Sequence, residues 1–261
     1  MNKSSLALMI ATTLLLAACG GGKDDKNNTP VDPQRPSNDN SGRSKNDAYH
    51  GTAFAIPNGA TFNSAHHAKA LNSTRLGVVH IDGKHRAAQQ SGIYVGGLPN
   101  IRSNSIQING VSYKNFLVSG HNYRNSRFGY ITHDNTDYIF SQGAFTTNMP
   151  NQGIVEYDGD AAVGRNGVAG VADADFTVNF GNKTVSGRIK AERDSNIQFN
   201  PIYLTATING SHFSGSANSA GVSTAGHFYG DNARELGGIF QDSTQTLSGS
   251  FGAVRTSTSS N

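Results

Sequence analysis

Three things are scarce in this chain: cysteine, charge and long apolar runs. One cysteine, Cys19, among 261 residues excludes a disulfide framework and any metal site built from several thiolates. Charged residues make up only 15% of the sequence, and beyond the N-terminus no apolar stripe recurs at the helical period, so amphipathic helices lack their raw material. The net charge of +3 is too small for a nucleic-acid footprint. No H-x-x-E-H or HExxH zinc spacing occurs, nor a D-x-D-x-D-G calcium loop, nor C-x-x-C-H for haem. No nucleophile–base or paired-carboxylate spacing stands out either. The expectation is a protein that is not an enzyme and carries no resident cofactor.

The single apolar run, Leu6 to Ala18, follows Lys3 and is too short to span a bilayer. It ends in Leu16-Ala17-Ala18-Cys19, a lipobox. Residues 1–18 therefore read as a lipoprotein signal peptide, with Cys19 as the acylated first residue of the mature chain. Several acyl chains at ~0.8 kcal/mol per buried CH₂ hold a membrane where one would not. Gly20 is not acidic, so a Gram-negative lipoprotein with this start is expected at the outer membrane. Residues 19–46 are rich in Gly, Pro, Asn, Asp and Ser and bury too little to order themselves. They read as a disordered tether with a reach of roughly 30 Å.

What is abundant is glycine, 31 residues, alongside Asn, Ser and Thr. That composition favours many short strands joined by tight turns, an all-β protein. Between Ala48 and Ser141 the strand candidates are irregular: Leu76–Ile81, Ser105–Ile108, Tyr113–Val118, Phe128–Ile131 and Tyr138–Phe140. "NSAHHAKALNSTR" is expected to form a short helix. From Gly153 the alternation is cleaner. Phe176, Val178 and Phe180 form one face, Gly181-Asn182-Lys183 turns, and Val185, Gly187 and Ile189 return. Ile202, Leu204, Ala206 and Ile208 run to Asn209-Gly210, a strong hairpin dipeptide. Phe213, Gly215 and Ala217 then continue the inner face, and Leu247, Gly249, Phe251 and Ala253 repeat the pattern. Glycine alternating on the inner face suits a small closed barrel, where small residues relieve crowding and closure removes edges.

The segments "YIFSQGAFTTNMPNQGIVEYDGDAAVG", "DFTVNFGNKTVSGRI", "FYGDNARELGGIF" and "LSGSFGAVR" resemble the barrel of transferrin-binding protein B. They are also similar to single-lobe surface lipoproteins such as factor H-binding protein, other complement-binding lipoproteins and the hemophilins. The likeness runs from about Phe128 to Arg255 and says little of Ala48 to Ser126. It implies a small irregular β-rich handle domain (47–142), an eight-stranded antiparallel β-barrel (143–256) and a short tail (257–261). It also implies export to the cell surface by the surface lipoprotein assembly modulator, and binding of host proteins or haem without catalysis. No ligand-binding residue carries over, because the matching motifs are structural.

The stretch His227 to Gln241 holds His227, Tyr229, Asp231, Arg234 and Glu235 among four glycines counted with Gly226. It reads as a barrel corner: Phe228 and Phe240 are buried, Asp231 or Asn232 caps a short helical turn, and Glu235 faces water. The acids Asp158, Asp160, Asp173 and Asp175 read as solvated strand ends. The function is sought upstream. In "YKNFLVSGHNYRNSRFGY", Phe116 and Phe128 are expected in the core. His121, Tyr123, Arg124 and Arg127 form the candidate exposed binding loop, because Tyr and Arg dominate protein-interface energetics. A second reading makes His66, His67, His80 or His85 axial ligands of captured haem. The leading partner is a host serum protein, a complement regulator first, with haem capture as the alternative and transferrin or another iron carrier third.

Overall fold

In the computed structural model the described residues are 48–60, 67–89, 96–99 and 106–256, and every regular element among them but one 3-10 turn is a β-strand. The signal peptide, Cys19, the tether, His66 and the 257–261 tail lie outside the described residues. The first nine strands build the handle. They are β1 (Tyr49–Pro57), β2 (Lys69–Ser73), β3 (Val78–Ile81), β4 (Lys84–Ala87), β5 (Ile106–Ile108), β6 (Val111–Tyr113), β7 (Asn115–Val118), β8 (Ser126–His133) and β9 (Thr136–Gly143). Five of them form a sheet in the order β2-β1-β9-β8-β7, while β3-β4 and β5-β6 are separate hairpins.

The handle sheet is buried on both faces, and its sequence reads accordingly as near-continuous apolar runs. Ala53, Phe116, Val118, Ile131 and Phe140 point to a core shared with Val79, Ile81, Ile108 and Tyr113 of the hairpins. The alternate residues Phe54, Leu117, Tyr130 and Ile139 point the other way, onto Ala162, Ala169, Val171 and Ile239. Those four residues belong to the second half of the chain. The β8–β9 hairpin that carries much of this sheet turns on Asp134-Asn135, both in the left-handed region at φ 48° and 52°, as a tight two-residue turn requires.

One expectation fails here. The segment expected to be a short helix supplies β2, which pairs with β1 from Tyr49↔Ser73 to Ala53↔Lys69. Leu71 and Ser73 are buried while Ala70 and Asn72 face out. The free edge of β1 and the pocket for Leu71 outweigh the local helix propensity of Ala, Lys and Leu. The expected strand Tyr113–Val118 is likewise interrupted, its two ends falling in β6 and β7.

Eight strands close the barrel in sequence order: β10 (Ile154–Arg165), β11 (Val168–Asn179), β12 (Thr184–Ala191), β13 (Ile202–Asn209), β14 (His212–Gly215), β15 (Val222–Tyr229), β16 (Glu235–Asp242) and β17 (Leu247–Arg255). β17 returns to β10 from Tyr157↔Arg255 to Gly164↔Ser248. The inner face is the one the alternation marks, with Phe176, Val178, Ile189, Leu204, Phe213, Phe228, Phe240 and Phe251 in one core. Inner glycines make room for these rings. A Cβ on Gly187 would stand 2.4 Å from the Phe176 ring, and one on Gly226 would stand 2.4 Å from Phe213. Ala217, expected on the inner face, is exposed because β14 stops at Gly215.

The turn between β15 and β16 is one 3-10 turn, Asp231–Ala233, entered from Gly230 at φ 72° without a side-chain cap. Its chain reversal rests on Asn232 and Ala233, both left-handed, rather than on the capping expected from Asp231 or Asn232.

Candidate functional site

Buried carboxylates fasten the handle to the barrel and set the shape of the surface between them. Glu235, at the start of β16, is 1% exposed. It accepts from the Asn125 backbone N–H at 3.0 Å, from Asn125 Nδ2 at 2.8 Å and from Ser126 Oγ at 2.7 Å. Burial pushes its carboxyl up, and the Ser126 and Asn125 donors pull it back. This overturns the expectation that Glu235 faces water. Asp137 of the handle accepts from Tyr130 and Thr132 and also from Gly167 N of the barrel, at 2.9 Å. Asp160 on β10 accepts from Tyr123 Oη at 2.8 Å and from Leu98 N at 3.0 Å. Its carboxyl too is raised by burial, against the lowering effect of those two donors.

These contacts hold the 119–125 loop, between β7 and β8, at both ends. Gly120 N and Asn122 N donate to Gly97 O and Gly96 O. Tyr123 turns inward to 2% exposure, its ring edge-on to Phe128 at 4.9 Å, and burial raises its hydroxyl far above the usual phenol range. Arg127 is half-buried, donating to the carbonyls of Tyr123 and Ser126, and burial lowers its guanidinium while Glu235 raises it. Of the four loop residues expected to meet a ligand, His121 and Arg124 are exposed. Tyr123 is instead a wedge in the seam, and Arg127 braces the loop's backbone.

His121 and Arg124 stand at the rim of a solvent-open cleft of about 1030 Å³, whose other wall is the outside of the barrel. That wall is a cross-strand ladder. Asp158 faces Asp175, which faces Arg188, which faces Tyr203; one step along, Asp160 faces Asp173, which faces Lys190. Arg188 donates to Asp175 at 2.8 Å, both side chains about half exposed. Like charges directly opposite one another are unfavourable. Asp158 responds with a raised carboxyl, through desolvation first, then a hydrogen bond and repulsion from Asp175. Tyr203 is 57% exposed, a large aromatic standing in water beside an arginine. Arg234 completes the rim from the β15–β16 turn.

Among the described residues, the lining contains no Ser, Thr or Cys to serve as a nucleophile. Among the described residues, no group of three or more His, Cys, Asp or Glu is placed to hold a metal ion. The arrangement can bind by charge pairing, hydrogen bonding and stacking. Among the other candidates, His80 and His85 pair across the β3–β4 hairpin, exposed, with rings stacked at 4.7 Å and 14°. His67 is exposed.

The acidic pairs and the Tyr203–Arg188 step were missed in the sequence, where the four acids looked like separate strand ends. Asn166-Gly167 was the available clue. A two-residue turn there fixes Arg165↔Val168 and hence every later pair of β10 with β11.

A handle sheet packed on a closed eight-stranded barrel has counterparts among known proteins. Residues 149–255 match the C-lobe and N-lobe β-barrels of Tf-binding protein B. Transferrin-binding protein B of Haemophilus influenzae (strain 86-028NP) is 31% identical over 191 residues, covering 66% of this chain and 25% of that protein. An uncharacterized protein of Haemophilus influenzae (strain KW20 / Rd) is 28% identical over 236 residues, covering 84% of this chain and 80% of its own length. The structure of intact Ap-TbpB, with N and C lobes, superimposes with a TM-score of 0.53 at 26% identity, covering 78% of this chain and 45% of that one. The fold is that of one transferrin-binding protein B-like lobe. The chain spans a quarter of the curated transferrin-binding protein B and under half of the solved one.

Proposed function

We propose that this chain is a non-catalytic surface lipoprotein that binds a host iron-carrier protein of the transferrin class through the handle–barrel cleft. The observation that carries the reading is the cleft's rim. Exposed Arg124, Arg188 and Arg234 line it, and exposed Tyr203 stands opposite Arg188 on the next strand; Arg and Tyr dominate binding hot spots, and the Arg124 loop stands on a frame fixed by buried carboxylates. A loop held in place before binding loses little entropy on contact. The name of its Haemophilus relative puts an iron carrier ahead of the complement regulator favoured on sequence alone. Anchoring through Cys19 and export by the surface lipoprotein assembly modulator belong to the same proposal, supported by the lipobox.

Paired ligation of haem by His80 and His85 is disfavoured by geometry. Two imidazoles ligating opposite faces of one iron stand about 6 Å apart between ring centres, given metal–nitrogen bonds of ~2 Å. His80 and His85 are 4.7 Å apart and exposed, too close to take opposite faces of one iron.

The experiment is a pull-down from serum on the immobilised chain, followed by titration of the retained protein. Transferrin or a related carrier should be retained, and Arg124→Ala, Arg188→Ala and Tyr203→Ala should each weaken it by about tenfold or more, a loss of 1.4 kcal/mol or above. Retention of a complement regulator instead would redirect the assignment of the partner. Unchanged binding in all three variants would remove the cleft from it.

A further inference from the structure

We infer that His212 and His227 form a binding site for a late first-row divalent cation such as Zn²⁺, Ni²⁺ or Cu²⁺. The pair lies on neighbouring barrel strands, β14 and β15, and neither strand lines the cleft.

Register brings the two rings together. His212 ends the tight Asn209-to-His212 turn of the β13–β14 hairpin and stands opposite His227. Phe228 N donates to Ser211 O at 2.8 Å. A bond between the residues flanking a pair marks it as non-hydrogen-bonded, the register in which opposed side chains come closest. The ring centroids are 5.0 Å apart with planes inclined by 54°. A cation at ~2.0–2.1 Å from each nitrogen, with each ring centre about 1.1 Å further back, sets the centroids about 4.5 Å apart at a right angle and about 5.2 Å at a tetrahedral one. The observed separation falls inside that interval. His80 and His85 meet the distance but not the orientation, because lone pairs in the planes of two parallel rings do not converge.

A second observation is independent of the spacing. His227 is only 9% exposed, and its Nδ1 has no hydrogen-bond partner among the described residues. An unpaired buried ring nitrogen calls for an explanation, and an ion at the ring is one that also uses its neighbour. Phe145 stacks on the His227 ring at 4.2 Å and 13°, which fixes the ring in advance of binding, and His50 lies across Phe145 at 5.4 Å. Imidazole nitrogen suits Zn²⁺, Ni²⁺ and Cu²⁺ above the hard cations. With two protein ligands, water completes the coordination on the half-exposed His212 side, and the ion is exchangeable.

The test is calorimetric titration of the full, metal-free chain with Zn²⁺ alone at neutral pH. One saturable site is expected, and His212→Asn should weaken it by about a hundredfold, the loss of one arm of a chelate. The double variant H80N/H85N should leave it unchanged. Unchanged zinc affinity in a His212→Asn protein with native near-ultraviolet circular dichroism overturns the inference. So does loss of the site in H80N/H85N, or no saturable site at all. Should His212→Asn or His227→Asn fail to fold, NMR of the unmodified chain decides. Zn²⁺ must shift the ring-proton signals of His212 and His227, and shifts confined to His80 and His85 refute the site.

Discussion

Replacing Glu235 by alanine should loosen the joint between handle and barrel. The carboxylate receives three donors from the handle, Asn125 N, Asn125 Nδ2 and Ser126 Oγ, all at 3.0 Å or less. Each donor left unpaired costs about 1–3 kcal/mol. Against this stands the cost of burying the charge itself, several kcal/mol, which alanine relieves. Truncating one member of such a buried set typically costs about 3–5 kcal/mol. Glu235→Gln keeps the shape and one acceptor oxygen, and should cost about 1 kcal/mol. Urea denaturation followed by circular dichroism measures both. At a slope of about 2 kcal/mol per molar, the alanine variant's midpoint should fall by about 2 M and the glutamine variant's by about 0.5 M. A midpoint for Glu235→Ala within about 0.3 M of the unaltered chain, on the same slope, would refute the reasoning.

Acid should weaken the fold through His227. Its folded value near 3 lies below the ~6.5 of an unfolded histidine, so its contribution is complete above pH 6.5 and is lost as pH falls from there toward 3. Between pH 7 and pH 5 the loss is about 2 kcal/mol. His227→Phe should flatten the slope by that amount, measured as the difference between the two proteins, since the raised carboxyls of Asp160 and Glu235 act in the opposite sense. Gly237→Val should destabilise by about 1–3 kcal/mol, because a Cβ there stands 2.8 Å from Ser141 Oγ and 3.1 Å from Phe251 O. Thermal unfolding reads the change. Tyr123→Phe should cost about 1–2 kcal/mol by removing the donor to Asp160, with carrier binding impaired less than by Arg124→Ala.

The barrel was legible in the sequence because its signals are local. Phe176, Val178 and Phe180 alternate within one strand, and Asn209-Gly210 closes a hairpin between neighbours. The seam was not, because it is made at long range. Nothing near Glu235 announces that Asn125 and Ser126, some 110 residues earlier, will take it out of water, so its charge argued for exposure. Tyr123 misled for the same reason: a tyrosine among Asn, Arg and Ser looks like a contact residue until Asp160 is brought beneath it. His121 and Arg124 were found by composition, whereas Arg188, Tyr203 and the His212–His227 pair needed strand register.

Both sheets are completed by pairings between distant parts of the chain, β1 with β9 and β10 with β17. Neither can close until roughly ninety intervening residues have been made, and contacts that distant slow folding toward the millisecond-to-second range. Slowness of this kind leaves a window in which the polypeptide is still extended. For the surface location proposed above, that window is the time in which the chain can be threaded across a membrane before it becomes too wide to pass.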